Sequence, residues 1–318
     1  MASFIQQGLK SKPGLEVTIF TATYNRAHTL ERLASSLSMQ TSGVDFEWLI
    51  VDDGSTDQTE QLIARLTPDL PFPVRYYKQA NGGKHTAFNK GVQLGQGTFF
   101  LTIDSDDQLH PEGLSNAIAS WNSIPIFERH KFQGVAGLCQ DSSGALIGDP
   151  FPTDIFDSNT PDVVLRHRVR GDKSGMHLTE VFRKHPFPER EGMKFLPEGR
   201  IWMELSKEYL TRYVNLPFAI VNFDAGTNLS KLERNDKLQG DREYHGYMLR
   251  EQIFWARCAP REFVKSALLY QIATRKLRAA GSSIEPVNRF GLLARFLLVL
   301  TWPLSLVPLT WLAKKGKP

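Results

Sequence analysis

Residues 97–110 read GTFFLTIDSDDQLH, an apolar run that leads directly into three aspartates. The apolar part predicts a buried β-strand, and Asp104, Asp106 and Asp107 stand at its carboxyl end. Like charges this close repel one another unless a partner offsets them. The pattern favours a hard divalent cation, Mg²⁺ or Mn²⁺, because such ions prefer oxygen ligands.

An acidic cluster of this kind has two other common interpretations. A calcium-binding EF-hand loop fails by position, because the sixth residue from Asp104 is Leu109 rather than glycine and the twelfth is Ser115 rather than glutamate. A solvated turn whose aspartates cap the next helix stays open on this motif alone. The neighbouring segments therefore have to decide between a turn and a metal site.

Strands and helices alternate through the first hundred residues. The hydrophobic pattern predicts strands at 15–23, 46–55, 73–80 and 98–104, with helices at 28–40, 56–67 and 84–95. This alternation predicts an α/β fold with a Rossmann-like, mostly parallel sheet and helices on both faces. Ligands of such sheets bind at the carboxyl ends of the strands, where residues 23–26, 52–55 and 104–106 form polar clusters. We expect these clusters to share one site.

The rest of the chain is predicted to be less regular. The pattern indicates a helix at 111–124, two strands joined by a turn within 132–149, loops around a cleft at 150–200, a helix at 200–210, an extended segment or strand pair at 211–223, and helices from about 240. We therefore predict a catalytic domain over 1–230 and a helical C-terminal region over 231–318. The first 14 residues lack the apolar core of a signal peptide and are predicted to be a short tail.

The amino-acid composition limits which classes of partner and which cellular compartment are expected. The chain has 318 residues with 38 Lys and Arg against 34 Asp and Glu, a net charge of +4, which is too small an excess to indicate nucleic acid. Its two cysteines, Cys139 and Cys258, form no Cys-x-x-Cys pair, so zinc and redox chemistry are not indicated. A reducing compartment fits best, and we expect a cytoplasmic location.

The C-terminal tail, 290–318, is the most apolar stretch of the chain. No charge occurs from residue 296 to 312, but prolines interrupt the run, and its length is close to the minimum of about 20 residues for a membrane span. Trp302 and Trp311 suit a membrane interface, and Lys314, Lys315 and Lys317 suit anionic headgroups. The tail predicts attachment to the inner face of the cell membrane. A hairpin packed on the catalytic domain, or a dimer contact, is the alternative.

Three motifs together carry a resemblance: T-Y-N-R at 23–26, V-D-D-G-S-T-D at 51–57 and D-S-D-D at 104–107. The chain resembles the family 2 glycosyltransferases with the GT-A fold over roughly residues 15–230. It departs at Ala22, where the family commonly has proline. The resemblance implies transfer of one sugar, with inversion, from a nucleotide-diphosphate sugar, most often a UDP-sugar. The acceptor would be a saccharide or lipid-linked hydroxyl in cell-surface polysaccharide or glycoconjugate synthesis.

The resemblance also implies roles for individual residues. The nucleotide base would be surrounded by Thr21, Thr23, Tyr24, Asp52 and Asp53, and Lys84 would lie near the nucleotide or sugar. Asp104 and Ser105 would contact the donor, and Asp104 and Asp106 would hold Mn²⁺ or Mg²⁺. The residues themselves agree in part, since Tyr24 offers a flat face to a base, and the turn at 81–83 before a helix suits phosphate. An ordinary turn remains an alternative there.

The segment KFLPEGRIWMELSKEY, 194–209, resembles the family region that carries the general base, which implies that role for Glu198. The alternatives are a charge that interacts with a helix dipole at Glu198, and Glu204 as the base. Asp172, Lys173 and Arg183 could orient an acceptor or form loop salt bridges. The Gln-x-x-Arg-Trp signature of processive synthases is absent from the sequence, which favours transfer of a single sugar.

Two other functions stay open at this point. A nucleotidyltransferase that makes sugar nucleotides normally needs a Gly-rich loop with Arg or Lys after the first strand, and residues 23–26 do not provide one. A sugar- or nucleotide-binding module without catalysis is the non-enzymatic alternative. P-loop and dinucleotide-binding folds lack support, because the sequence has neither a Walker A nor a G-x-G-x-x-G motif.

Overall fold

The computed structural model describes residues 4–7, 15–40, 43–223, 234–282 and 290–306. The chain divides into two compact units. The first comprises Met1–Glu189 and Glu204–Thr227, and the second comprises Arg190–Met203 and Asn228–Pro318. The predicted domain boundary at residue 230 stays a prediction.

In chain order the regular elements are β1 (Phe4–Gln7), β2 (Val17–Thr23), α1 (Ala27–Ser38), β3 (Phe46–Asp52), α2 (Thr59–Leu66), β4 (Val74–Lys78), α3 (Lys84–Leu94), β5 (Phe99–Thr102), β6 (Gln108–Leu109), α4 (Gly113–Asn122), β7 (Phe132–Gln140), β8 (Ile155–Ser158), β9 (Lys173–Leu178), α5 (Thr179–Lys184), α6 (Gly199–Leu205), β10 (Leu210–Ile220), α7 (Arg234–Glu251), α8 (Pro260–Ala279) and α9 (Leu292–Ser305).

One mixed sheet runs through the first unit, in the order β1-β4-β3-β2-β5-β9-β7-β10-β6, with β8 paired to β10. The four strands predicted to be parallel, β4, β3, β2 and β5, are parallel neighbours. Their carboxyl ends therefore meet at one edge, as the alternation of strands and helices requires. Antiparallel pairing appears outside this block, where β1 pairs with β4 and β9 lies between β5 and β7.

The helices cover the sheet with the faces that their periodicity indicates. Leu30, Leu33 and Leu37 of α1 are fully buried in the same apolar cluster as Trp48 of β3. On α3, a Cβ at Gly91 would lie 2.2 Å from the ring of Phe20, so glycine is required for this helix to lie directly on β2. This close approach fixes the amino end of α3, which carries Lys84, beside the carboxyl edge of the sheet.

Several sequence predictions need correction. The N-terminal tail contributes strand β1, whose backbone pairs with β4. The second strand expected within 132–149 is reduced to an isolated bridge between Gln140 and Leu146, and 211–223 holds the single strand β10. The segment 150–200, predicted as loops, contains β8, β9, α5, the start of α6 and a π-helical turn over Asp162–Arg166. Strand β9, KSGMHL, was missed because its buried positions include Ser174, Gly175 and His177, which carry no apolar signal.

The second unit is built from helices, with α7 packed on α8 and α8 on α9. Glu243 of α7 is largely buried, and its carboxylate lies 3.2 Å from Arg190 and 3.8 Å from Arg200, so the segment 190–203 is tied to α7 by charge. The guanidinium of Arg200 also stacks on Tyr247, 3.6 Å from the ring centroid. Among the described residues, no helix has both the length and the apolar character needed to cross a membrane.

Candidate active site

The loops that follow β2 and β3 hold each other in place. The backbone N–H of Asn25 donates to Ser55 Oγ at 2.8 Å, and Asn25 Oδ1 accepts the N–H of Thr56 at 2.8 Å. Asn25 has a positive φ of 53°, a conformation that asparagine tolerates better than most residues. Asp57 in turn accepts the N–H of Ala27 at 3.1 Å, where α1 begins. The T-Y-N-R and D-G-S-T-D motifs therefore form one polar platform at the edge of the sheet.

Asp52 lies beneath this platform. Its carboxylate is fully buried and accepts the N–H of Ser55 at 2.7 Å and the hydroxyl of Tyr76. Burial, together with the neighbouring Asp52 carboxylate, raises the pKa of Tyr76, so its hydroxyl stays a donor. Both Asp52 oxygens thus have protein partners, and the geometry favours a structural function in the loop. Its assignment to the nucleotide stays a prediction.

Asp53 fastens the loop at 81–83 to the end of β3. One carboxylate oxygen accepts the N–H of Gly82 at 2.8 Å and the other accepts the N–H of Gly83 at 2.7 Å. The side chains of Gln79 and Asn81 donate to the same carboxylate at 2.9 and 3.2 Å. From the sequence, this turn suited phosphate or was an ordinary turn. Asp53 accepts two of its N–H groups, and these contacts hold the residue that precedes Lys84 in place.

The acidic cluster at the end of β5 is drawn together as expected. Asp104, Asp106 and Asp107 each bring a carboxylate oxygen within 4.8 Å of the others. Two cations reach into the cluster: Lys84 Nζ lies 2.6 Å from Asp104, and Arg26 Nη2 lies 3.3 Å from Asp106. Arg26 was assigned no role from the sequence, although its position directly after the first polar cluster gave a signal. The site thus combines carboxylates with two basic side chains from the T-Y-N-R loop and α3.

The pKa of Asp107 shows the effect of placing three carboxylates close together. Burial and the neighbouring Asp104 carboxylate raise the pKa of Asp107 to about 7, although the N–H of Asn222 donates to it at 3.1 Å. Asn222, just beyond β10, also donates to the backbone oxygen of Asp106 at 3.2 Å and was missed in the sequence. The cluster can offer three carboxylate oxygens to one ion, and a bound cation would offset the repulsion that raises the pKa of Asp107. This arrangement fits Mg²⁺ or Mn²⁺.

The other residues predicted to contact the nucleotide differ in whether their side chains already have protein partners. Thr21 is buried, and its hydroxyl accepts the indole N–H of Trp48 at 3.1 Å. Thr23 Oγ1 is buried and has no hydrogen-bond partner within the described part of the chain, while the ring of Tyr24 is 49% exposed. Ser105 is nearly buried between two of the cluster aspartates. Thr23 and Tyr24 are therefore the better placed to contact a ligand.

The candidate bases and acceptor residues are not among the residues that form the polar platform. Glu198, in the second unit, is exposed and immediately precedes α6, where its backbone oxygen accepts the N–H of Ile201 at 3.0 Å. Glu204 pairs with Lys207 at 3.4 Å. The guanidinium of Arg183 donates to the backbone oxygen of Gly95 at 2.7 Å, just past the opposite end of α3 from Lys84, so its contact there is structural. Lys173 likewise donates to the backbone oxygen of Arg170 at 2.9 Å.

Comparison with known proteins now adds to the geometry. The family model described as "Glycosyl transferase family 2" matches residues 18–144, which run from β2 through the acidic cluster to the turn after β7. Over these residues the chain matches glycosyltransferase family 2. The family predicted from the T-Y-N-R, V-D-D-G-S-T-D and D-S-D-D motifs is thereby confirmed.

Similar proteins include an uncharacterized glycosyltransferase, alr2836, from Nostoc sp., which is 30% identical over 188 residues, or 58% of this chain and 52% of the relative. A second is the poly(ribitol-phosphate) beta-N-acetylglucosaminyltransferase TarS of Staphylococcus aureus, 29% identical over 158 residues, or 48% of this chain and 25% of TarS. The chain therefore spans about half the length of the first relative and a quarter of the second.

Among solved structures, residues 1–349 of S. aureus TarS in complex with UDP-GlcNAc match with a TM-score of 0.57 at 17% identity, covering 90% of this chain and 79% of that one. A second structure of the same TarS segment matches with a TM-score of 0.54 at 18% identity, covering 83% of this chain and 72% of that one. These similarities confirm the predicted GT-A fold of the glycosyltransferase, with a helical C-terminal region.

Proposed function

We propose that this family 2 glycosyltransferase moves one sugar from a nucleotide-diphosphate sugar to a hydroxyl acceptor with inversion. The observation that carries the proposal is the meeting of Asp104 and Asp106 with Lys84 and Arg26 at the carboxyl edge of the parallel strands. A pyrophosphate needs positive charge around it, and a sugar nucleotide bound through a cation needs carboxylates as well. A UDP-sugar is the donor we favour, because the similar TarS structure holds UDP-GlcNAc.

The nucleotide end of the donor would lie against the platform formed by the first two loops. The half-exposed ring of Tyr24 offers a face for base stacking, and the Thr23 hydroxyl, which has no partner among the described residues, offers a hydrogen bond. Thr21, Asp52 and Asp53 would act mainly by shaping these loops, since protein groups already contact their side-chain oxygens. Ser105 would line the donor side of the acidic cluster.

The diphosphate end would lie at the acidic cluster. Asp104 and Asp106 would hold Mg²⁺ or Mn²⁺, which when bound would offset negative charge on a departing nucleoside diphosphate. Lys84 and Arg26 each contact one of these aspartates, so both can turn toward phosphate oxygens without leaving the site. The two side chains would thereby stabilise the charge that develops as the glycosidic bond breaks.

The proton of the acceptor hydroxyl requires a base, and Glu198 is the residue we propose for it. Its support is the resemblance of residues 194–209 to the family region and its exposed position before α6. The acceptor would be a saccharide or a lipid-linked hydroxyl. A role in cell-surface polysaccharide or glycoconjugate synthesis is proposed because TarS is named for poly(ribitol-phosphate).

A donor panel tests the binding half of the proposal. Thermal-shift titration with UDP-, GDP- and dTDP-sugars, with and without Mn²⁺, should show stabilisation by a UDP-sugar that Mn²⁺ increases. Stabilisation by none of the donors would overturn the proposal. Binding of nucleoside triphosphates with release of pyrophosphate would support the nucleotidyltransferase instead.

Substitution of the base tests the catalytic half. Glu198→Gln should keep the thermal shift given by the donor and lose about 100- to 10,000-fold in the rate of nucleoside diphosphate release with acceptor or water. Glu191→Gln, at an exposed glutamate seven residues before Glu198, is the matched control and should change neither. A chain that binds donor but shows equal, background turnover in all three forms would be a binding module.

A further inference from the structure

Helix α9 of the second unit exposes most of its large apolar side chains, whereas its buried positions are mainly small or polar. The most exposed are Leu292, Phe296, Val299 and Leu300, at 86, 62, 74 and 56%. Their spacing of four, three and one residues places them on one face of the helix. A surface helix of a globular protein has the opposite arrangement, so this face is built to be covered.

The opposite face of α9 is already used for packing on α8. Its buried positions are Ala294, Leu297, Thr301 and Ser305. Gln271 of α8 donates to Thr301 Oγ1 at 2.6 Å and to the backbone oxygen of Leu298 at 2.9 Å. Thr301 in turn donates to the backbone oxygen of Leu297 at 2.8 Å. These hydrogen bonds fix the rotation of α9 about its axis, so the apolar face is held outward.

The net charge of the C-terminal segment, residues 260–318, indicates which kind of partner could cover the apolar face of α9. Residues 260–318 contain ten Lys and Arg and two acidic residues, a net charge of +8, whereas the whole chain carries +4. Residues 1–259 therefore carry −4. An apolar helix face within a segment so enriched in positive charge complements an anionic phospholipid surface better than it complements a second copy of the same basic segment.

The edges of the apolar face agree with this partner. Arg295 and Trp302 are seven residues apart, so they lie on the same side of α9, and both are exposed. At a bilayer surface an arginine stem can lie along apolar material while its head reaches the phosphates, and tryptophan prefers the headgroup level. These two side chains would mark the line where the helix leaves the acyl region.

We propose that α9 lies in the surface of an anionic phospholipid bilayer, with Leu292, Phe296, Val299 and Leu300 inserted and the face packed on α8 turned away. The sequence predicted membrane contact for the tail as a whole, and the structure assigns it to one face of this helix. The proposal is independent of the donor site and would survive its failure. Trp311, Lys314, Lys315 and Lys317 lie outside the described residues, and the lysines enter the proposal only through the charge counted from the sequence.

Flotation of the full chain with vesicles tests the proposal. Vesicles of phosphatidylcholine with phosphatidylglycerol should bind the protein at least about tenfold more tightly than phosphatidylcholine alone, and added salt should weaken binding. The double variant Phe296→Asp and Val299→Asp should lose at least about tenfold in binding to the anionic vesicles. Because both positions are exposed, circular dichroism and the melting temperature should stay at the wild-type values.

The matched control is the double variant Ile126→Asp and Phe127→Asp, which places the same charges at two exposed apolar positions of the first unit. It should bind vesicles like the wild type. Equal loss in both double variants would show a general effect of added negative charge and overturn the assignment to α9. Absence of wild-type binding would overturn it as well, and a dimer in sedimentation analysis that only the α9 variant abolishes would identify a second copy as the occupant.

Discussion

The carboxylate of Asp53 accepts the backbone N–H of Gly83 at 2.7 Å, so the end of β3 is fastened to the residue that precedes α3. Lys84 is the next residue, and its ammonium reaches Asp104 at the end of β5. A chain of contacts thus runs from Asp53 through one turn to the acidic cluster. The position of Lys84 therefore depends on a carboxylate that accepts hydrogen bonds from the backbone of the preceding turn.

Asp53→Asn should therefore lower both stability and donor affinity. An amide can still accept one N–H, but its own NH₂ group then meets the second, and a hydrogen bond to a charged acceptor is worth about 1.5–3 kcal/mol. We expect the free energy of unfolding to fall by about 2–3 kcal/mol, measured by urea denaturation. Asp69→Asn, at an exposed position, is the control and should change little. Unchanged stability in the Asp53 variant would contradict the anchoring role.

Thr21 and Thr23 give a matched pair on one strand. Thr21→Val leaves the buried indole N–H of Trp48 without its acceptor and should cost about 1–2 kcal/mol of unfolding free energy. Thr23→Val removes a buried hydroxyl that has no partner among the described residues, so stability should change by less than about 0.5 kcal/mol. If Thr23 contacts the base, its variant alone should weaken UDP-sugar binding in calorimetry. Equal affinities for both variants would remove Thr23 from the site.

Lys84→Gln separates competition with metal from contact with the donor. The ammonium at 2.6 Å from Asp104 occupies a carboxylate oxygen that a cation would need, so its removal should tighten the binding of Mn²⁺ alone by about threefold to tenfold. Binding of the UDP-sugar should weaken by about tenfold or more, since a phosphate contact is lost. Lys90→Gln, on the same helix but away from the cluster, should do neither. If the affinities for Mn²⁺ and for the UDP-sugar changed in the same direction, Lys84 could not both compete with the metal and contact the donor.

The parts of the fold that the sequence predicted well are those with a strong apolar period. Strands β2, β3, β4 and β5 and the three helices between them lie where the alternation placed them, within a few residues at each end. The location of polar residues directly after a buried strand could also be predicted, because the carboxyl ends of parallel strands lie at the same edge of the sheet. The meeting of the clusters around Asp53 and Asp104 follows from that rule alone.

The parts that were missed depend on contacts between distant residues. Asn222 joins the acidic cluster from the end of β10, 115 residues from Asp107, and no local pattern signals such a pairing. Strand β9 has polar and glycine positions that are buried only because β5 and β7 flank it. The engagement of Asp52 by Tyr76 was likewise invisible, since a carboxylate after a strand has the same appearance whether a ligand or a neighbouring strand contacts it.

Asp107 makes the stability of the metal-free protein depend on pH. Burial, with the Asp104 carboxylate adding to it, raises its pKa from the model-compound value of 3.8 to about 7 in the folded state. The folded protein therefore binds a proton more tightly than the unfolded chain does. This group's contribution to stability is fully present below about pH 4 and is lost as the pH rises through about 7.

Asp107→Asn should remove this dependence. Each unit of pKa difference corresponds to about 1.4 kcal/mol, so between pH 4 and pH 8 the wild type should lose on the order of 3 kcal/mol relative to the variant in the presence of EDTA. Urea denaturation at both pH values measures the difference, and Asn222 can still donate to the amide oxygen. Added Mn²⁺ should restore the wild type at pH 8 and help the variant less, because it binds the deprotonated carboxylates. Parallel pH profiles for the two proteins would show that Asp107 is already ionised in the folded state at low pH.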